Sequence, residues 1–225
     1  MKVVVYFINW NDSYYFPFLR KWYHDCDIIM YDQYSTDNSV SLAKSLGFEV
    51  RTFGSRQLND QHYLDVKNHC WKEQRGKADY VIVCDADEFV TVPKNLTCSL
   101  PIVNGFNMVS NNLPIESIQD INTGAESVSY SKRAIFDPNR IKEINYVHGC
   151  HVANPVGDIT EHDTCSLFHY RQIGGAERMI KRHKEYIQRM SQFNKRHRMG
   201  FHYLHEEQQK REEFKTLLEQ SRELW

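Results

Sequence analysis

Four short apolar runs, each closed by polar residues, dominate the first ninety positions of the chain. Val3-Val4-Val5-Tyr6-Phe7-Ile8 is β-branched and aromatic without alternation, the pattern of a strand buried on both faces. Ile28 to Tyr31 and Tyr80 to Cys84 read the same way, and Phe48 to Arg51 is a weaker third. Between them, Val40, Ala43 and Leu46 recur at helical spacing after Asp37 and stop at Gly47. Tyr63, Val66 and Cys70 mark a second helix, from Asp60 to Gln74, that ends before Gly76. Strand and helix in alternation predict a mostly parallel sheet with right-handed crossovers, flanked by helices. From Pro93 to Phe168 the runs shorten among Asn, Gly, Pro and Ser, which predicts antiparallel strands and long loops. Beyond Ala176 the chain turns helical and polar. One apolar stripe there is Met179, Tyr186, Met190 and Phe193; the other is Phe214, Leu217, Leu218, Ser221, Leu224 and Trp225. The expected organisation is one α/β domain over residues 1–175, with halves at about 1–92 and 93–175, and a helical carboxyl tail over 176–225.

Composition narrows the class. Hydrophobic residues at 41% and charged residues at 25% exclude wholesale disorder. Lys plus Arg at 28 against Asp plus Glu at 29 lacks the basic excess of a dedicated nucleic-acid binder. No apolar run is long enough to span a bilayer, and polar residues from Asn9 to Asp12 interrupt any signal-peptide pattern. The six cysteines contain no CxxC pair, so reduced thiols are expected. These features predict a soluble, cytoplasmic chain, in the host cytoplasm if the source is viral.

Candidate chemistry gathers at the carboxyl ends of the four predicted strands, where ligands sit in parallel α/β sheets. Those ends read Asn9-Trp10-Asn11-Asp12, Asp32 to Asp37, Gly54-Ser55-Arg56 and Asp85-Ala86-Asp87-Glu88. Any one polar loop is unremarkable chemistry; four on one rim point to a site. Asp85 and Asp87, two apart at a strand end, suit one hard divalent cation shared with phosphate oxygens and water. A cluster of Asp85, Asp87 and Glu88 without counter-charge is expected to repel itself and to gain from a cation. Neither GxGxxG nor GxxxxGK[ST] occurs, which argues against a dinucleotide-binding dehydrogenase or a P-loop ATPase. Phosphate binding would then fall to a metal with Arg56, Lys67 or Arg171. His148, His151, His162 and His169, with Cys150 and Cys165, match no zinc spacing.

The strand into Asn9-Trp10-Asn11, Tyr31-Asp32-Gln33-Tyr34-Ser35-Thr36-Asp37, Cys84-Asp85-Ala86-Asp87-Glu88-Phe89 and Phe168-His169-Tyr170 together resemble the GT-A fold, family 2-like nucleotide-sugar glycosyltransferases. Within that group they are similar to the amino-terminal transferase domains of chlorella-virus multidomain proteins, over roughly residues 1–170. The resemblance implies a Rossmann-like GT-A domain whose first half binds the nucleotide and whose second half takes the acceptor. It implies a UDP-sugar donor, a glycan or glycoprotein hydroxyl as acceptor, and Mn²⁺ or Mg²⁺ as cofactor. Residue by residue, it implies that Asp32 accepts from the pyrimidine, with Asn9 alongside. Asp85 would face the ribose and metal, Asp87 and His169 would ligate the metal, and Lys67 would contact the nucleotide. The usual Asn-Glu after the first strand is Asn11-Asp12 here, and no ED or QxxRW signature of processive synthases appears.

An inverting transfer also needs a base for the acceptor hydroxyl, and Asp158, Glu161, Asp163 and His151 are the candidates. The tail from Ala176 is expected to be dispensable for nucleotide binding. Two other functions remain open at this stage: a nucleotidyltransferase that makes sugar nucleotides, and a non-catalytic carbohydrate- or nucleotide-binding domain.

Overall fold

The computed structural model describes residues 1–225. Strands β1 (Val3–Asn9), β2 (Asp27–Asp32), β3 (Glu49–Thr52) and β4 (Tyr80–Asp85) form where the apolar runs predict them. They lie parallel in the order β3-β2-β1-β4. Every residue of β1 is buried because alternate side chains enter different cores. Val3, Val5 and Phe7 pack with Phe16, Met30 and Phe48, while Val4 and Tyr6 pack with Trp71, Val81 and Phe136 on the opposite face. The connecting helices are α1 (Phe16–Trp22), α2 (Ser39–Ser45) and α3 (Asp60–His69). The sequence pattern missed α1, whose start is eased by Pro17 in its first turn. It ran α3 too long, because Cys70–Gln74 tightens into a 3-10 turn.

The central sheet is mixed rather than wholly parallel. After β5 (Glu88–Val90), β6 (Ile102–Ser110) and β7 (Thr123–Glu126) comes β8 (Ile135–Phe136), which joins β4 antiparallel. Two residues are too few to leave a periodic trace in the sequence. Strands β9 (Ile141–Glu143) and β10 (Val156–Gly157) make a small ribbon, and β11 (Thr164–Ile173) is the long strand of a second sheet. That sheet runs β12-β7-β6-β11-β5, where β12 (Arg222–Glu223) is formed by the carboxyl end. Its β6–β11 pair is parallel and the others are antiparallel.

The tail contains α4 (Ala176–Arg189), α5 (Gln192–Arg196) and α6 (Glu207–Gln220). The first apolar stripe is not one helix: α4 stops at Arg189, and Leu58 accepts from Ser191 N and donates to Arg189 O at 3.0 and 2.8 Å. The second stripe leaves the helix at Ser221, so Trp225 meets Phe168 edge-on at 4.9 Å. No helix is long and apolar enough to cross a membrane. All six cysteines are free thiols.

One close approach joins the second sheet to the site. A Cβ on Gly105 of β6 would stand 2.1 Å from the carbonyl carbon of Tyr130, so only glycine lets the Val128–Tyr130 turn lie against the strand. Gly105→Ala must displace backbone rather than a flexible side chain. We expect a loss of about 3 kcal/mol, a strong destabilisation for a core substitution, read by thermal or urea unfolding. An unchanged midpoint would mean that the turn is not held there.

Candidate active site

Parallel register brings the strand ends together: Asn9 stands beside Asp32, and Ile8 beside Asp85. Beyond β4 the chain doubles back through Ala86-Asp87 into β5, and Glu88 Oε2 accepts from Asp85 N at 2.9 Å. Pairing of β5 with β11 then sets His169 opposite Glu88, while Tyr170 N donates to Asp87 O at 2.8 Å. The two sheets meet at this junction. A cavity of about 310 Å³ opens there, walled by Asp85, Asp87, Lys67, His151, His169 and Arg171 among others.

The acidic cluster is not left without counter-charge, which corrects the expectation from sequence. Lys67 Nζ lies 2.8 Å from Asp85 Oδ1, Lys132 Nζ 2.6 Å from Glu88 Oε1, and Arg171 Nε 2.5 Å from Asp87 Oδ2. Asp87 and Glu88 are 1% and 2% exposed, so their pairs are desolvated, while the Asp85 side chain stays partly open to solvent. Burial raises the pKa of Asp85, but Lys67 and Lys132 outweigh it and hold the carboxyl below the usual range. Burial likewise opposes ionisation of Asp87, and the Arg171 guanidinium beside it overcomes burial, leaving that pKa well below normal. Lys67 is pushed the other way: desolvation lowers its pKa, yet Asp85 raises it well above the ordinary lysine value. Arg171 also reaches Asp12 Oδ1 at 3.4 Å, and Arg182 holds Asp12 Oδ2 at 2.9 Å.

His169 is positioned on three sides. Its Nδ1 lies 2.8 Å from Asn107 Oδ1, the residue opposite it across β6 and β11, which sets Nδ1 as the donor and leaves Nε2 with a lone pair. Tyr130 lies flat on the ring, with centroids 3.9 Å apart and planes at 18°. Nε2 faces Asp87 Oδ2 at 3.4 Å, and that buried oxygen receives no aligned hydrogen bond, although Arg171 neutralises its charge. A nitrogen lone pair set against a carboxylate lone pair suits two ligands of one cation, with the imidazole oriented from behind by Asn107. No group of three or more His, Cys, Asp or Glu side chains converges as metal ligands. Two protein ligands nonetheless fit Mn²⁺ or Mg²⁺, whose remaining positions commonly go to phosphate and water. The residues present therefore fit the cofactor.

Other expected residues lie elsewhere. Asn9 and Asp32 are buried outside the cavity wall. Asp32 accepts from Asn9 Nδ2 at 2.9 Å, Ser35 N at 3.0 Å and Ser35 Oγ at 2.5 Å, so most of its acceptor capacity is used within the loop. Arg56 is exposed and lies over Tyr34. Of the four base candidates, only His151 lines the cavity. Asp158 pairs with Arg140 at 2.8 Å, Glu161 pairs with Arg133 at 2.5 Å, and Asp163 accepts from Thr97 N and Cys98 N. His148 and His162 also stay outside.

Several cavity residues were not singled out from sequence. Tyr130 and Asp60 are two; burial raises the pKa of Asp60 against the opposing hydrogen bond from Asn194. The tail supplies Met179, His183, Tyr186, His202, Tyr203 and Glu213, so it forms part of the wall rather than an appendage. Arg171, expected from sequence as a phosphate contact, lines the wall with His169 where the register of β11 shifts.

No protein-family model matches the chain, and no curated protein matches it. Among solved structures, the chain is similar to a mannosyltransferase from Pyrobaculum calidifontis in complex with GDP-Man and Mn²⁺. That match has 13% identity and a TM-score of 0.34, covering 45% of this chain and 35% of the other. It is also similar to glucosyl-3-phosphoglycerate synthase from Mycobacterium tuberculosis in complex with Mn²⁺, UDP and glucosyl-3-phosphoglycerate. There the identity is 16% and the TM-score 0.30, with 47% of this chain and 44% of the other covered. The chain thus spans less than half the length of either, and the chemistry of the site is read from its own side chains.

Removing the Asp87 carboxylate strands buried Arg171 and His169 beside each other. Asp87→Ala is therefore expected to destabilise the metal-free protein by about 3 kcal/mol, the low end for breaking a buried pair because Asp12 still faces Arg171. For a chain of this size that is about 9 °C of melting temperature. An unchanged or raised melting temperature by calorimetry would show that the pair contributes no net stability.

Proposed function

We propose that the chain is a GT-A-type glycosyltransferase that moves a sugar from a UDP-type donor to a hydroxyl acceptor on a glycan or glycoprotein, with inversion. The observation that carries this reading is the Asp87–His169 pair: two buried ligand atoms 3.4 Å apart with no hydrogen bond between them. Asp87 follows the carboxyl end of parallel β4, where α/β sheets take their ligands, and β11 brings His169 against it. Asp87 and His169 would hold Mn²⁺ or Mg²⁺, with Asp85 on the ribose side. A cation bound there stabilises negative charge on the departing diphosphate.

The chain's own residues account for the rest. Lys67 and Arg171 add fixed positive charge beside the diphosphate and need no reorganisation during the reaction. Trp10 and Tyr63 line the cavity toward β1 and β2, the side assigned to the nucleoside, with Asp32 and Asn9 shaping the loop behind them. His151 is the proposed base. Its Nδ1 bonds Ser129 O at 2.7 Å, which leaves Nε2 as an acceptor toward the cavity. Desolvation by its surroundings and the charge of Lys132 lower its pKa from the ordinary histidine value, against the opposite pull of the Ser129 carbonyl, Glu88 and Asp85. Nε2 is thus unprotonated at neutral pH and takes the proton as the acceptor oxygen attacks C1 of the sugar.

The test is release of nucleoside diphosphate from a panel of UDP- and GDP-sugars in Mn²⁺, with a hydroxyl acceptor or water. A nucleotidyltransferase would instead release pyrophosphate from a nucleoside triphosphate and sugar phosphate, and a binding domain would turn over nothing. His151→Ala should lower kcat about 10²- to 10⁴-fold while leaving UDP affinity intact. Because the base works deprotonated and its pKa is depressed, kcat should be level at pH 7–8 and fall only below about pH 6.5. A profile that rises through pH 8, or an unaffected variant, would remove His151 from this role.

A further inference from the structure

A second cavity of about 180 Å³ adjoins the first, and the Asp12–Arg171 ion pair forms part of both walls. Its charged lining is Arg171, Arg178, Lys181 and Arg182 against Asp12 and Glu185. The two carboxylates are already matched: Asp12 by Arg171 and Arg182, and Glu185 by Arg182 at 2.9 Å. Arg178 and Lys181 have no carboxylate within ion-pair distance, whereas Lys184 on the same helix is paired with Glu207.

Arg178 is also held in place. Its guanidinium lies 4.9 Å over Tyr14 and 5.6 Å over Tyr15, and it donates to Ile173 O at 3.1 Å. Local electrostatics disfavour the arrangement. Arg178 sits in the first turn of α4, where the helix dipole opposes a cation, and three cations at i, i+3 and i+4 repel one another. A held Arg178 with Lys181 beside it in the wall of a concave pocket, and no carboxylate of the chain paired to either, suits an anion from outside.

We propose that this groove is an oxyanion subsite that takes a phosphate or carboxylate group and passes it, through Arg171, to the edge of the main cavity. Resting on the glycosyltransferase reading, the oxyanion is either part of the donor's diphosphate or an acidic group on the acceptor. The test uses the full chain and the double variant Arg178→Gln/Lys181→Gln, neither residue being in the wall of the main cavity. Inorganic phosphate and pyrophosphate are titrated by calorimetry at low salt, and UDP with Mn²⁺ is titrated in parallel. Melting temperature checks the fold.

The expected result is at least tenfold weaker phosphate or pyrophosphate binding in the variant, with an unchanged melting temperature. A parallel loss of UDP affinity identifies the donor diphosphate as the source. Unchanged UDP affinity identifies an acidic acceptor. Equal phosphate and pyrophosphate affinity in the two proteins would overturn the subsite. If the wild type binds no UDP or sugar nucleotide, the glycosyltransferase reading fails while the phosphate difference still stands or falls by itself.

Discussion

Three carboxylates gather at the end of one strand, two of them fully buried, and each is met by a cation from a different part of the chain. Asp85 is held by Lys67 from α3, Glu88 by Lys132 from the segment before β8, and Asp87 by Arg171 from β11. Burying Asp87 or Glu88 without its partner would cost several kcal/mol. The first sheet, the second sheet and a crossover helix are therefore bound to one geometry. The same requirement places the cavity, because the residues that meet to neutralise the cluster also make its walls.

The second sheet acts as a positioning frame. Parallel pairing of β6 with β11 sets Asn107 against His169, and the close approach at Gly105 lets Tyr130 come down on the imidazole. Tyr130 also takes His151 edge-on at 5.4 Å, so one ring spaces the proposed metal ligand from the proposed base. The tail then closes the far side. Arg189 lies 3.7 Å over Trp10, and Asn194 and Asp60 bond to each other in both directions.

Strands β1, β2 and β4 were legible because they are buried on both faces, which leaves an apolar run with no alternation, whereas the edge strand β3 has no buried residue and left only a weak run. The polar rim was legible for the complementary reason: Asn9, Asp32 and Asp85 end those runs. The two-residue β8 and the β12 pairing were not, since strands that short have no period and depend on partners distant in sequence. Charge balance was the larger failure. Nothing local to Asp85-Ala86-Asp87-Glu88 says that Lys67, Lys132 and Arg171 will arrive beside it. For the same reason Asp158, Glu161 and His151 looked equivalent in sequence, although two are spent on Arg140 and Arg133 and one faces the cavity. The two apolar stripes of the tail were legible, but not that they would bring His183, His202 and Glu213 to the cavity, because those contacts depend on partners distant in sequence.

The central claim is that Asp87 and His169 are two ligands of one divalent cation shared with a diphosphate. Pulsed electron paramagnetic resonance of Mn²⁺ bound with UDP tests it most directly, because a coordinated imidazole nitrogen modulates the echo. The account predicts nitrogen modulation in the wild type and in His151→Ala, and its loss in His169→Ala. Modulation missing from the wild type, or persisting in His169→Ala, would contradict it.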